Sequence, residues 1–236
     1  IAARNLELNL NLVDTSGASV ALDGDRKVID FAGARQIDVT TGTGRSQAID
    51  LDARLGQYVR ATGDVELRVG DFFEVSGSLG FERRAQQVTL ADGTAVQTQL
   101  ISIGGTGLDA FVGIGPYEIE QEGQTVVNPQ ARGLKVSDVE FGVALFSSNQ
   151  SGFTDKRWTA LTGSVGRIDA PIGLPDDVDL DIHSLGIDIN LAHGFSPAES
   201  YRQVIDFSTV TANGQTVDRA LQIATGTGQS LRLTHD

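Results

Sequence analysis

Long runs of alternating apolar and polar residues constrain the fold of this chain more than any other feature. In LELNLNLV (residues 6–13), leucines occupy every second position, with Glu7, Asn9 and Asn11 between them. Successive side chains of a β-strand point to opposite faces of a sheet, so this period of two predicts a strand with one apolar face. The same pattern recurs in VELRV, VQTQLISI, KVSDVEFGVALF and VDLDIHSLGIDINL (residues 65–69, 96–103, 135–146 and 178–191).

Turn-forming segments such as ADGT, GGTG and NPQARG separate these runs, and no long stretch has a helical period. The nearest helical candidate, SPAESYRQV (residues 196–204), is short, with Ser196 as a cap and Pro197 at the first helical position. The sequence therefore predicts an all-β fold. We expect an elongated, curved antiparallel sheet arranged as a sandwich-like or solenoid-like tandem-repeat body.

Three strand-like segments contain an internal glycine, at Gly63, Gly77 and Gly163. Glycine inside a strand marks a bulge, a bend or the close approach of another backbone. We expect the sheet to bend at these positions.

A large internal repeat is the most informative feature. Leu6 matches Leu185 in a leucine-rich run, VIDF occurs at Val28 and again at Val204, and TGTG begins at Thr41 and at Thr225. Three blocks in the same order at one spacing of about 180 residues predict a tandem repeat whose copies fold alike.

The predicted organisation has three parts. Residues 1–52 end one repeat frame with a leucine strand, VIDF and TGTG; residues 53–183 form the central β-rich body; and residues 184–236 hold the second copy of the terminal module. Because the sequence contains no methionine, we expect a piece of a longer array whose units pack on neighbouring repeats.

Charge and composition exclude several classes of partner. The net charge of −13 disfavours binding to DNA or to an anionic membrane surface. No run approaches the roughly 18 apolar residues that span a bilayer, so we expect no membrane insertion.

Several segments resemble the tandem β-rich repeats of giant bacterial surface or adhesin-like proteins. They are ATGDVELRVGDFFEVSGSLGFER, VTLADGTAVQTQLISIGGTGLDAFVGIGP, GLKVSDVEFGVALF and RWTALTGSVGRI (residues 61–83, 88–116, 133–146 and 157–168). The resemblance covers most of residues 58–192. It implies secretion, display on the bacterial cell surface and a structural or adhesive role, and it transfers no functional residues.

The TGTG tetrads look at first like phosphate-binding loops. A phosphate-binding loop of the P-loop type has a lysine and a following helix, whereas both tetrads lead into strand-like sequence. We therefore interpret them as β-hairpin turns, in which glycine supplies a positive φ.

Two acidic clusters are candidate calcium sites. Asp23 and Asp25 lie in DGDRKVID, and Asp177 and Asp179 lie in PDDVDLDI. Calcium prefers such oxygen ligands, although neither cluster has EF-hand spacing. Alternation would also place Asp177 and Asp179 on the solvent face of a strand. The sequence therefore leaves two alternatives: no cofactor at all, or a structural Ca²⁺ ion bound by these carboxylates.

Trp158 is the candidate ligand-binding aromatic residue, because a tryptophan directly after a turn can stack on a sugar; core packing is the competing interpretation.

Catalysis has little support in the sequence. There is no cysteine and no G-x-S-x-G elbow, and His183, His193 and His235 show no zinc-ligand spacing. A glycosidase needs only two carboxylates, which so acidic a chain supplies, and a hydrolase stays a third hypothesis.

The sequence favours a non-enzymatic structural or spacer repeat of a large extracellular bacterial surface protein. Its expected partners are neighbouring repeats, with surface glycans or matrix as further candidates, and no nucleic acid. The alternative is a calcium- or carbohydrate-binding β module.

Overall fold

The computed structural model describes residues 2–13, 28–70, 72–168, 182–212 and 215–234. Within them lie fifteen strands and three single-turn 3-10 helices, and no α-helix, so the all-β prediction is confirmed. The strands are β1 (Ala2–Asn11), β2 (Ile37–Gly42), β3 (Arg45–Ile49), β4 (Tyr58–Val69), β5 (Phe73–Thr89), β6 (Ala95–Ile114), β7 (Glu118–Gln121), β8 (Gln124–Val127), β9 (Arg132–Ser147), β10 (Arg157–Ile168), β11 (Ile182–His193), β12 (Thr209–Ala212), β13 (Gln215–Asp218), β14 (Leu221–Gly226) and β15 (Gln229–Leu233). The 3-10 helices are Gly33–Arg35, Ala53–Leu55 and Ser200–Arg202.

One seven-stranded antiparallel sheet dominates the molecule, in the order β1-β4-β5-β6-β9-β10-β11. The remaining strands form four two-stranded hairpins, β2–β3, β7–β8, β12–β13 and β14–β15. The part of the chain described here contains neither a solenoid coil nor a closed sheet. The predicted antiparallel sheet is thus present as an open sheet with β1 and β11 at its edges.

The internal glycines have three different roles. Gly77 lies at a register shift between β5 and β6, as a bulge requires. Gly63 lies opposite the irregular part of β1, where a Cβ would stand 3.2 Å from the carbonyl oxygen of Arg4. Gly163 continues a regular ladder with β9 and with β11, so no bulge forms there.

The two faces of the sheet differ. The covered face carries Leu100, Phe146 and Trp158, which form the core together with Phe207, Ile223 and other apolar residues of the C-terminal module. The open face carries a row of directly opposed residues on all seven strands: Leu8, Ala61, Phe81, Ile103, Val143, Leu161 and Ile189. Many of the large apolar side chains on this face are exposed, including Leu8, Phe81 and Ile103.

The predicted helical candidate at residues 196–204 contains only the 3-10 turn Ser200–Arg202. Ser196 does begin a turn, because its carbonyl oxygen accepts the N–H groups of Glu199 and Ser200, both at 3.0 Å. In the described part of the chain no helix has the length and apolarity needed to cross a membrane.

Candidate functional site

The C-terminal hairpin β14–β15 packs across the covered face of the sheet. Alternation along the hairpin directs Leu221, Ile223 and Leu233 inward, and all three are buried in the core. The hairpin therefore forms a second layer over strands β5, β6 and β9.

Three glycines form the floor on which this hairpin lies. Gly80, Gly104 and Gly142 are directly opposed on β5, β6 and β9, and we call them the glycine floor. A Cβ on Gly80 would stand 2.2 Å from the carbonyl oxygen of Ala224, and one on Gly104 would stand 2.5 Å from the same atom. A larger residue at Gly80 or Gly104 would displace the hairpin backbone, whereas a Cβ on Gly142 would meet the end of the Ile223 side chain at 2.9 Å.

The TGTG turn is the tip of this hairpin. Thr227 and Gly228 make the turn, with Gly228 at φ 69°, as the hairpin interpretation predicted. The hydroxyl of Thr227 lies 3.2 Å from that of Thr62 on β4 and 3.4 Å from the carbonyl oxygen of Asn5 on β1. The tetrad thus carries the hairpin across the sheet to its far edge.

The second VIDF segment, residues 204–207, fastens the module to the end of the β5–β6 hairpin. Ala91 donates its N–H to the carbonyl oxygen of Val204 at 2.9 Å, and Asp206 donates to that of Thr89 at 2.8 Å. The ring of Phe207 packs on that of Phe146, with their centroids 6.2 Å apart.

The N-terminal module repeats the internal contacts of this C-terminal module. The Asn11 side-chain amide donates to the carbonyl oxygen of Ile29 at 3.1 Å, and the matching Asn190 donates to that of Ile205 at 2.8 Å.

A carboxylate–arginine pair follows in each copy. Asp30 pairs with Arg35, and Asp206 pairs with Arg219. Asp30 also accepts the N–H of Ala32, as Asp206 accepts that of Ser208. The two copies therefore share hydrogen bonds as well as sequence.

These aspartates are held in their charged form. Hydrogen bonds from the backbone N–H groups of Ala53 and Ala32 lower the pKa of Asp30. Burial raises the pKa of Asp206, but hydrogen bonds from Ser208 and the charge of Arg219 outweigh it, and the net shift is downward.

The two copies differ in what covers them. Ile205 is 2% exposed and Ile223 is 0% exposed, whereas the matching Ile29 and Val39 are 67% and 43% exposed. The β14–β15 hairpin is docked on the sheet, whereas Val39 in the β2–β3 hairpin of the N-terminal module is exposed.

Trp158 lies inside the core, with 1% of its surface exposed. Its indole N–H donates to the carbonyl oxygen of Gln203 at 2.6 Å, and its ring packs between Phe153 and Phe195. Neither face of the ring is open for stacking on a sugar, and the burial favours the packing interpretation.

Asp23, Asp25, Asp177 and Asp179, the candidate calcium ligands, lie outside the described residues, as does His235. His193 ends β11, with its Nε2 atom 3.4 Å from the hydroxyl of Thr159. Among the residues that the structure does describe, no three His, Asp or Glu side chains are grouped to hold a metal ion.

An open cleft of about 510 Å³ lies between the sheet and the β7–β8 hairpin. Its charged lining mixes both signs: Glu66, Glu74, Asp109, Glu118 and Glu120 with Arg4, Arg68 and Lys135. Lys135 lies over the ring of Tyr117, with its Nζ atom 4.4 Å from the centroid. Arg68 pairs with Glu66 at 3.4 Å and with Glu74 at 3.6 Å, and Arg4 lies 3.9 Å from Glu66, so the cationic side chains of the cleft already have partners.

No protein-family model, no curated protein and no solved structure matches this chain.

Sequence reasoning missed the glycine floor. Gly80, Gly104 and Gly142 each interrupt an alternating run at a position facing the same side as Leu100, Ser102 and Ala144. That placement is the signal that could have found them, because a strand glycine marks a close backbone approach.

Proposed function

We propose that this chain is a structural repeat of a tandem β-array in a large extracellular bacterial surface or adhesin-like protein. It extends or displays other parts of that protein and has no catalytic role of its own. In the array, docked hairpins form a second layer over the sheet, which gives an elongated, sandwich-like body.

The observation that carries this proposal is the relation between the two edge strands. Six antiparallel ladders separate β1 from β11, so both strands run in the same direction. Leu8 and Ile189 lie in one row on the open face, and Asn11 and Asn190 make matching contacts on the covered side. A unit whose two ends are equivalent in sequence, direction and face is suited to head-to-tail repetition.

The surface setting rests on the resemblance of residues 58–192 to giant surface-protein repeats. The absence of cysteine and the net charge of −13 are compatible with a long, soluble extracellular array.

A two-repeat chain tests the proposal. Residues 1–184 are joined directly to residues 6–236, so that the leucine strand occurs once at the junction. Strand spacing in sheets is about 4.8 Å, so six added strands should extend the particle by about 29 Å perpendicular to the strands, which small-angle X-ray scattering registers as a larger radius of gyration. The cross-section should stay that of the single chain. A compact particle of doubled volume would contradict the array.

Calcium separates this proposal from the calcium-binding alternative. A spacer repeat should melt at the same temperature in millimolar calcium and in chelator. A calcium module would melt higher with calcium, because a ligand that binds the native state stabilises it by mass action.

A further inference from the structure

The free N-terminal hairpin has the same backbone as the docked C-terminal one. Ile37 opposes Ile49 in β2–β3 as Leu221 opposes Leu233 in β14–β15. Both ladders shift register just before the turn, and the turn glycine has φ 67° in one and 69° in the other.

Side chains that are buried in the C-terminal hairpin are exposed to solvent at the matching positions of the N-terminal hairpin. Leu221 and Ile223 are buried, whereas the matching Ile37 and Val39 are 45% and 43% exposed. Exposing these apolar side chains without a partner is costly, since burying a valine or isoleucine contributes about 1.5–3 kcal/mol. In the C-terminal copy, the matching side chains are covered by the sheet at the glycine floor.

The edge strands carry a second match. Asn5 in β1 has φ 51° and lies at the register shift with β4. Ser184, its counterpart in β11, has φ 60°, although none of the described strands pairs with β11 on that edge. A positive φ is uncommon for residues other than glycine. The free edge of β11 therefore already has the backbone conformation that β1 uses to pair with β4.

We infer that successive repeats share one strand, and that the β2–β3 hairpin docks on the glycine floor of the preceding repeat. The inference rests on the proposed function and specifies its junction. The shared strand pairs with a β10 strand on one edge and with the next repeat's β4 strand on the other. The module that follows it reaches back over the preceding sheet, as β14–β15 does here.

Cysteine labelling tests this docking, because the natural chain contains no cysteine. Val39→Cys is introduced into the two-repeat chain, either in the first or in the second repeat. In the first repeat the substitution lies on a hairpin with no preceding sheet. In the second repeat it lies on a hairpin that can dock on the glycine floor of the first. We expect a thiol reagent to label the second-repeat cysteine at least tenfold more slowly.

Gly104→Ala in the first repeat supplies the cross-repeat control. It should restore fast labelling of the cysteine in the second repeat, because a Cβ at Gly104 would collide with the docked hairpin. The labelling rate of a first-repeat cysteine should not change.

Equal labelling of the two cysteines would overturn the inference. If the two-repeat chain nevertheless extended perpendicular to its strands as expected, the tandem array would be supported. Only the docking of β2–β3 on the preceding repeat would then be contradicted. Should Val39→Cys in the second repeat prevent folding, Ile37→Cys gives the same comparison at the neighbouring inward position.

Discussion

Gly80 and Ala224 touch so closely that no side chain fits between them: a Cβ on Gly80 would stand 2.2 Å from the Ala224 carbonyl oxygen. Gly80→Ala should therefore lower the free energy of unfolding by about 1–3 kcal/mol, as overpacking does. Urea denaturation followed by circular dichroism measures this loss.

Gly186→Ala is the matched control for Gly80→Ala. A Cβ at Gly186, on β11, would meet its nearest neighbour, the carbonyl oxygen of Gly163, at 3.8 Å. Its unfolding free energy should stay within about 0.5 kcal/mol of the natural chain. Equal losses of unfolding free energy in the two variants would show that the glycine floor has no special requirement for glycine.

The single tryptophan reports on the core. Because Trp158 is 1% exposed, its fluorescence should be blue-shifted and should resist quenching by iodide in the native chain. Trp158→Ala should cost about 3–5 kcal/mol, as large-to-small core substitutions do. Tyr201→Ala, at an exposed aromatic residue, should cost little. Strong quenching of the native protein, or a change of emission with added glycan, would contradict the packing role.

The carboxylate of Glu82 joins two arginines on the covered face. It accepts the Nε–H of Arg60 at 2.6 Å and that of Arg84 at 2.5 Å, with 4% of its side chain exposed. Glu82→Gln should cost about 2–3 kcal/mol, because it leaves two partly buried cations without their anion. Glu66→Gln, in a solvent-exposed pair with Arg4, should change stability by less than about 1 kcal/mol.

Acid should destabilise the docked module through Asp206. Its pKa in the native chain lies below the ordinary value of 3.8, so the native state binds fewer protons than the unfolded state as pH falls. The stabilisation is complete above the ordinary value and is lost as pH drops through the native pKa. Asp206→Asn should be less stable at pH 7, and its urea midpoint should approach that of the natural chain as the pH falls below 3.8. A constant gap between the two midpoints would exclude this role.

The period of the strands could be predicted from the sequence, but not which face would be covered. The leucines of β1 alternate as expected, yet Leu8 is exposed while Asn11 is buried beside Ile29. Alternation fixes two faces locally, whereas burial depends on what packs on each face: Ile29 beside Asn11, and over β5 and β6 a hairpin more than a hundred residues later in the chain. The segment from residue 204 through β15 covers the side that carries the glycine floor together with Leu100, Phe146 and Trp158.

The tetrads show what repetition can and cannot reveal. The TGTG turns were predicted from glycine and from the strand-like flanks, and both hairpins are present. Their target could not be predicted, because Gly80 and Gly104 are ordinary strand glycines until Ala224 is placed above them. The candidate calcium ligands stay a prediction.

The seven-stranded sheet also sets the shape of any array built through its edges. Neighbouring strands in a sheet are rotated by roughly 20–25°, always in the same sense. Six such steps turn each repeat by about 120–150° relative to the one before. An array with a shared strand would therefore be a superhelix. The exposed apolar residues of its open face would point in a different direction at every repeat and would not form one continuous apolar surface.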